Sequence, residues 1–317
     1  MTDASRLGLV RAHVFLVAAA YVLMIPLERV AAFPPEAIEP LGLARLLPDD
    51  AWALLHGETV LALLRVGLSG LLLLCGLGVP GYRWLGPSAA ALFFLHQILL
   101  RIDASGHREL ALLYCVITLS AFPAADAWSV QRRMGGQAKH NRASYRAALL
   151  LTSFAFLFTY TAPALYRLVH AAPTIFLDDS FLNYIVANGG ALRNGTSGFD
   201  YGSKLVAAAP SAIPLLKVGF VVSTVLEAFS LLCLRSRRFR YVWLGFCLGF
   251  HVVNLLLLNI NFGLNMLLAP MLLIWGTLPN EELQAGGNSA VGEPPSVPAT
   301  GDASVAAPTE PVHGVQS

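Results

Sequence analysis

Polar side chains inside apolar segments are the residues of this sequence with the clearest capacity for chemistry. His251 and Asn254 lie three residues apart in one apolar run, so a helix would place both on one face. An ionisable group inside a membrane span costs several kcal/mol unless it is paired or hydrated, which makes each such group a candidate for a functional site. The other candidates at this depth are Arg65, His96, Lys217, Glu227, Asn259, Asn261 and Asn265, and near the predicted outer edge Arg29, His56, Glu58, His107 and Arg167.

Each of these groups also has a structural interpretation. Membrane helices use Asn and His to hydrogen-bond their neighbours, so helix contacts explain the asparagines, and for His251 helix contact and functional site both stay open. Lys217 and Glu227 are ten residues apart on one span and cannot pair with each other. Ion pairs with other helices are expected instead, for example Arg65 with Glu227 or Glu58 with Lys217.

Two further histidines and the cysteines favour structural roles. His96 is expected to be a packed, hydrogen-bonded core residue, whereas His56 and Glu58 are expected to form a solvated pair at the membrane interface. The sequence has no paired-cysteine or HExxH metal motif, no glycine-rich phosphate loop after a strand and no Gly-x-Ser-x-Gly elbow. Each of the four cysteines lies in an apolar run without ligand or redox spacing, so buried free thiols are expected at Cys75, Cys115, Cys233 and Cys247.

The composition points to the elements that must position these groups. Of the 317 residues, 13% are charged and 56% are hydrophobic, whereas a soluble domain carries about 25% charged residues. The mean hydropathy is +0.63. These values exclude an ordinary soluble enzyme, a secreted disulfide scaffold and a disordered chain, and they indicate an all-α polytopic membrane protein. The net charge of +2 gives no indication of nucleic-acid binding.

The apolar runs predict about eight transmembrane helices. A span needs about 20 mostly apolar residues. The run from Tyr241 to Leu278 is too long for one crossing, and the segment Asn259–Gly263 supplies the break between two spans. The predicted spans are Leu9–Ala32, Trp52–Leu77, Trp84–Leu100, Glu109–Trp128, Arg146–His170, Pro210–Leu234, Tyr241–Ile260 and Phe262–Leu278.

The distribution of Lys and Arg predicts the orientation. The two most basic connections are residues 129–146 and 235–240, whereas the first connection is acidic. With eight spans, both basic connections fall on the same side as the two termini. The positive-inside rule therefore predicts an N-in, C-in topology, in a membrane that we expect to be the bacterial inner membrane.

The chain divides into a transmembrane domain, residues 1–279, and a tail, residues 280–317. The tail is rich in Pro, Ala, Ser and Gly without apolar periodicity, so we expect a disordered cytoplasmic segment. The largest outer connection is residues 171–208. Apolar residues recur there at helical spacing between Phe176 and Ile185, which predicts an interfacial amphipathic helix.

Three segments together resemble one family, the vitamin K-dependent gamma-carboxylase-like membrane domain, or horizontally transferred transmembrane (HTTM) domain. Gly106-His107-Arg-Glu-Leu-Ala, followed by Ala127-Trp-Ser-Val130, is similar to the family's Asn-His-x-Tyr-Leu opening of a span that ends in Trp-Ser-Val. The span Phe158–Leu168 is similar to one that ends in Gly-x-Lys-Lys-Leu. Gly249-Phe-His-Val-Val-Asn254, with the segment Asn259–Gly263 after it, resembles the family's Phe-His-x-x-Asn segment and the Ile-Gly-x-Phe that follows it.

This resemblance implies a set of site residues. The family's outer-edge histidine corresponds to His107, its mid-span histidine to His251, and its asparagine to Asn254. The family's Lys-Lys pair, in which a lysine is assigned the deprotonation of vitamin K hydroquinone, reads Tyr166-Arg167 here. Arginine does not act as a base, because its pKa stays above about 12, and the lumenal β-rich domain of the carboxylases is missing. Both departures argue against carboxylation.

The resemblance therefore implies a related site for a quinone-like or lipid-soluble substrate. The cofactor is left unknown, and the resemblance allows a quinone or hydroquinone. His107 and His251 are the candidate catalytic residues. Arg167 would hold an anionic or phenolate oxygen and Asn254 would hydrogen-bond the ring, while Tyr166 and Lys217 complete the candidate substrate-binding set.

Two classes of function follow from these residues. The first is a membrane enzyme, or a protein of peptide maturation, that acts with the lipid bilayer, a quinone-like molecule or a secreted peptide as its partner. The second is a non-enzymatic membrane partner in toxin-peptide export, maturation or immunity. A transporter is disfavoured because the sequence shows no inverted repeat. Convergence of the candidate residues around one cavity is the observation that would favour the enzyme.

Overall fold

The computed structural model describes residues 1–32, 48–100, 109–135, 140–170, 201–258 and 260–277, with the backbone alone at residues 203 and 258. These ranges contain helices and turns but no strand. The predicted tail, the predicted interfacial helix between residues 176 and 185, and His107 lie outside them. The α-helices are α1 Asp3–Met24, α2 Asp49–Leu55, α3 Glu58–Leu77, α4 Tyr82–Leu100, α5 Leu110–Ser120, α6 Val130–Arg133, α7 Arg142–His170, α8 Tyr201–Ala208, α9 Ile213–Ala228, α10 Arg237–Leu258 and α11 Gly263–Met271.

Five helical stretches of the described chain are long and apolar enough to cross a membrane. They are Asp3–Ala32, Glu58–Leu77, Arg142–His170, Pro210–Ala228 and Arg237–Leu257. The prediction of a helical chain with membrane-spanning helices is confirmed at this level, whereas the count of eight spans stays a prediction.

Several predicted spans are broken where their sequences lack regular helix signals. The apolar run that begins at Glu109 is α-helical only to Ser120 within the described residues, followed by turns around Pro123 and a 3-10 segment, Ala124–Asp126. Proline cannot donate a backbone hydrogen bond and disfavours helical geometry in the residue before it. The helical break predicted between α10 and α11 is present, because α10 ends at Leu258 and α11 begins at Gly263.

The sixth and eighth predicted spans each end in an irregular helical segment. The α-helix α9 ends at Ala228 and is followed by a 3-10 segment, Ser230–Leu234. The nine-residue helix α11 continues as a π-helical turn, Leu272–Gly276. Such turns change the direction of side chains along a helix, so helical periodicity alone does not give the faces of these spans.

The core of the bundle lies around α1, which packs against α3, α5, α7 and α11. Helix α7 packs in turn against α5 and α9, and α10 packs against α8 and α11. The four cysteines are free and buried, as predicted. They fill space in this apolar core in the way small apolar residues do.

A fully buried arginine joins α1 to its neighbours. The Arg11 side chain donates hydrogen bonds to the carbonyl oxygens of Ala124 at 3.1 Å, Gly76 at 3.2 Å and Trp128. Gly78 ends α3 in the left-handed conformation, with φ of 64°. A Cβ at this position would overlap the Arg11 guanidinium, so the glycine is required both by its backbone conformation and by the close approach of the arginine.

Candidate apolar cavity between α9 and α10

An apolar cavity of about 270 Å³ separates α9 from α10. Because α9 presents residues spaced three or four apart, one face of that helix forms a continuous wall. The opposite wall comes from one face of α10, and α8 contributes Gly202. The lining residues are Gly202, Leu215, Leu216, Gly219, Phe220, Ser223, Phe246, Phe250, Val253, Asn254 and Leu257.

Two polar side chains lie in this wall, and they differ in their hydrogen bonding. The Ser223 hydroxyl donates to the Phe220 carbonyl oxygen at 2.7 Å, within its own helix. The Asn254 residue is only 7% exposed, and its side-chain amide makes no hydrogen bond with the described residues. A buried amide without a partner costs about 1–3 kcal/mol. Asn254 is therefore the polar group of the cavity that is available to a ligand.

An ion pair joins α7 to the cavity-lining helix α9. An Arg167 terminal nitrogen, at the end of α7, donates to the carboxylate of Glu227 on α9. The guanidinium also lies 5.6 Å from the ring centre of Phe220, which lines the cavity. The Arg167 charge is thus balanced by a carboxylate, and Arg167 is not among the residues that line the cavity.

This geometry corrects the expected ion pairs. Glu227 pairs with Arg167 and not with Arg65, whose partner is Glu28 at 3.0 Å. An ion pair between Glu227 and an arginine of another helix was expected, and one is present. The expected partner was wrong, because the partner depends on which helices are neighbours. Glu58 is exposed and forms no ion pair with the described residues, so the expected pairing of Glu58 with Lys217 is also wrong.

His251 belongs to a buried network centred on the Tyr160 hydroxyl. The His251 Nε2 lies 2.8 Å from this hydroxyl, and His251 is only 1% exposed. The Cys247 thiol donates to the same oxygen at 3.6 Å, and the Asn265 side chain lies beside it. Tyr160 lies in α7, Cys247 and His251 in α10, and Asn265 in α11, so residues of three helices meet at this hydroxyl.

The second ring nitrogen of His251 lies outside this network. His251 Nδ1 is buried and has no hydrogen-bond partner among the described residues. The His251 ring packs at 4.7 Å from Phe262 and at 5.5 Å from Phe250.

The structure brings some of the predicted site residues together and separates others. Asn254 lines the cavity, Arg167 touches one of its walls, and His251 lies in the network beside it without lining it. Tyr166 is 66% exposed and packs against His170 one turn further along α7. Lys217 lies half-buried on α9 and outside the cavity lining. Convergence with His107 stays a prediction, since that residue lies outside the described ranges.

Two further histidines, His96 and His56, are both buried. This confirms the expectation for His96 and corrects the one for His56. His96 is fully buried, stacks on Phe93 and contacts the Gln97 amide at 3.4 Å, as expected of a core residue. His56 was expected to be solvated beside Glu58 and is instead 5% exposed. Its Nδ1 hydrogen-bonds the Trp52 carbonyl at 2.9 Å, and its ring packs on the Trp52 indole at 4.4 Å. The short helix α2 buries Trp52 together with His56, which the local sequence did not indicate.

Sequence reasoning missed Tyr160 and the role of Arg11. Tyr160 lies between Thr159 and Thr161 inside an apolar helix, and this polar triplet was the available signal. The Thr161 hydroxyl in turn hydrogen-bonds the Ser230 hydroxyl at 2.7 Å. Arg11 had a signal as well, because a charged residue in an apolar first helix requires partners.

Comparisons of the chain with protein-family models, with curated proteins and with solved structures gave no match. The proposals on function therefore depend on the site itself and on the motif resemblance.

Proposed function

We propose that this chain is an integral membrane protein that binds a quinone-like or other lipid-soluble molecule in the cavity between α9 and α10. The observation that carries the proposal is Asn254, whose side-chain amide lines the mostly apolar cavity and makes no hydrogen bond with the described residues. A ligand with an apolar body and a carbonyl or hydroxyl oxygen would satisfy this amide and fill the cavity. The motif resemblance to the HTTM family supports the same class of ligand.

The size of the cavity supports a ring rather than a large substrate. Ligand pockets typically measure about 300–1,000 Å³, and a cavity of about 270 Å³ lies just below that range. One or two fused rings fit such a volume, and the bilayer would supply a lipid-soluble molecule at high local concentration. The ion pairing of Arg167 with Glu227 favours an uncharged ligand over a phenolate.

The proposal concerns binding and assigns no reaction. By the motif resemblance, Arg167 stands in the pair where the family has the lysine that is assigned the deprotonation, and an arginine cannot take up a proton at ordinary pH. His251, the candidate base in the described chain, directs Nε2 at Tyr160 rather than at the cavity. Gamma-carboxylation is therefore expected to be undetectable.

One observation favours the alternative, a non-enzymatic membrane partner in toxin-peptide export, maturation or immunity. None of the described residues that line the cavity is ionisable. An acid–base catalyst must come within about 3 Å of the proton that it transfers. A binding or assembly role needs no such group.

A binding experiment separates the two candidates. The full-length protein in nanodiscs is titrated with 1,4-naphthoquinone and, in parallel, with naphthalene, and binding is followed by quenching of tryptophan fluorescence. Naphthoquinone should bind more tightly, because only its oxygens can accept from Asn254. Asn254→Leu should weaken naphthoquinone binding about five- to tenfold, the value of roughly one hydrogen bond, and leave naphthalene unchanged.

The matched control is Ser223→Ala, because this hydroxyl lines the same cavity but already donates within its helix. It should change the affinity less than twofold. Equal binding of naphthoquinone to the wild type and Asn254→Leu would refute the proposed site. Failure of both probes to bind would favour the non-enzymatic function.

We also propose an N-in, C-in topology with eight spans in a bacterial inner membrane. Arg6 at the start of α1 lies close to Arg240 at the start of α10. Asp3 of α1 forms ion pairs with Arg142 and Arg146 at the start of α7. Helices α1, α7 and α10 thus begin at one end of the bundle, which supports a common direction for the first, fifth and seventh predicted spans.

The topology is tested with a reporter fused after residue 280. A green fluorescent protein at this site should be fluorescent, and alkaline phosphatase should be inactive, because both would lie in the cytoplasm. The opposite pattern would require an odd number of spans before residue 280.

A further inference from the structure

A cluster of arginines lies where α1 and α10 begin. On α10 it precedes Phe246, the first residue of this helix that lines the cavity. Arg240 is buried, with an exposed fraction of 6%. Its Nε donates to the Cys233 carbonyl at 2.9 Å, but its Nη2 is buried without a hydrogen-bond partner among the described residues. A buried guanidinium without a carboxylate partner is costly, so this position favours an anion at the adjoining protein surface.

The neighbours of Arg240 add positive charge. Arg6 and Arg237 lie close enough for their charges to repel the Arg240 guanidinium. Within the described ranges, no carboxylate forms an ion pair with any of these three arginines. The acidic residue nearest to Arg6 in the sequence is Asp3, and it already accepts from Arg142 at 2.7 Å and Arg146 at 2.9 Å.

The backbone of α10 adds to the positive charge of this cluster. This 22-residue helix begins at Arg237, so the positive end of its dipole lies within the cluster. The Ser236 hydroxyl accepts from the Phe239 N–H at 3.2 Å and satisfies one of the N-terminal donors. Anions bind at such helix ends when cationic side chains are also present.

The position of the cluster indicates the source of the anion. Helices α1 and α10 belong to stretches that are long and apolar enough to span a membrane. Residues at their first turns therefore lie at the level of the lipid headgroups. Basic clusters at this level attract anionic lipids, with about 1 kcal/mol for each Lys or Arg near the surface.

We propose that Arg6, Arg237 and Arg240 form a binding site for the phosphate group of an anionic phospholipid. The phosphate oxygens accept from the guanidinium groups of Arg6 and Arg237, which reach the protein surface, and the buried Arg240 guanidinium adds positive charge to the site. Arginine suits this role because its planar guanidinium presents several donors to a phosphate. The site is independent of the cavity and of the proposed ligand there.

The test measures lipid binding to the full-length protein in detergent by native mass spectrometry. The probes are phosphatidylglycerol and phosphatidylcholine with identical acyl chains, each titrated with and without 10 mM inorganic phosphate. The wild type should bind phosphatidylglycerol more tightly than phosphatidylcholine. Arg6→Gln and Arg237→Gln should each weaken phosphatidylglycerol binding about fivefold, and the double variant about 25-fold.

Arg240→Gln should also weaken phosphatidylglycerol binding, because it removes one positive charge from the cluster. Arg240→Gln also removes the hydrogen bond to the Cys233 carbonyl. If the Arg240→Gln variant does not fold, the Arg6 and Arg237 variants are sufficient for the test. The control is Arg83→Gln, an exposed arginine at the start of α4 that stacks on Trp84 at 4.8 Å. This change should leave both lipid affinities unaltered.

The outcomes separate lipid from soluble anion. Retention of phosphatidylglycerol selectivity in 10 mM phosphate supports a lipid site. Displacement of the lipid by phosphate, equal binding of the two lipids, or equal effects of Arg83→Gln and the cluster variants would each overturn the proposal.

Discussion

Removing both charges of the Arg167–Glu227 ion pair should destabilise the protein less than the sum of the two single changes. The Glu227 side chain is 5% exposed and the Arg167 side chain 28% exposed. Removing one partner of a fully buried pair costs about 3–5 kcal/mol, because the other charge stays buried. Arg167 is partly solvated, so we expect about 2–3 kcal/mol for Arg167→Met, which leaves the buried carboxylate uncompensated.

The reverse change should cost less. Glu227→Gln preserves the shape of the side chain and leaves an arginine that can still reach solvent, so about 1–2 kcal/mol is expected. The double variant should be less destabilised than the sum of the two single variants, by at least about 1 kcal/mol of coupling. The free energy of unfolding is measured by circular dichroism in mixed dodecyl maltoside and SDS micelles.

The pair Arg65–Glu28 provides the control. Its charges are 3.0 Å apart, and the two side chains are 23% and 25% exposed. Arg65→Met should cost less than Arg167→Met, because the carboxylate that it leaves unpaired, Glu28, is more exposed than Glu227. Additive effects of the Arg167 and Glu227 variants, or an equal cost of Arg65→Met, would refute the conclusion that burial of Glu227 determines the strength of the interaction.

Two further predictions concern stability. Gly78→Ala should lower the unfolding free energy by about 1–2 kcal/mol more than Gly81→Ala, because both glycines have positive φ but only Gly78 touches a buried guanidinium; equal costs in the same micelle titration would contradict that contact. Tyr160→Phe should cost about 1–3 kcal/mol, because it leaves His251 buried with neither ring nitrogen bonded. Tyr114→Phe, at a position 38% exposed, should be neutral in thermal melts, and similar melting temperatures for both variants would count against the network.

Composition and apolar periodicity predicted the parts of this protein that depend on local sequence. The low charge content indicated membrane helices, and the segment between Tyr241 and Leu278 was long enough to require the break that separates α10 from α11. The cysteines were predicted to be buried thiols because each lies among apolar neighbours. These properties follow from the transfer of side chains out of water, which each residue contributes largely independently of its eventual partners.

The candidate site could be predicted only in part. Asn254 was predicted as a site residue because it is a polar residue in an apolar run, and it lines the cavity. The partner of Glu227 and the hydroxyl that bonds His251 were not predicted, since Arg167 and Tyr160 are 60 and 91 residues away from them along the chain.

The tertiary structure decided these pairings through the rotation and adjacency of the helices. Any apolar face can pack against lipid or against another helix at similar cost, so hydrophobicity does not specify which faces meet. Hydrogen bonds and ion pairs do specify them, because each requires its partner within about 3 Å. Arg11, His56 and Glu227 therefore acquired their surroundings only when α1, α2 and α9 were packed against their neighbours.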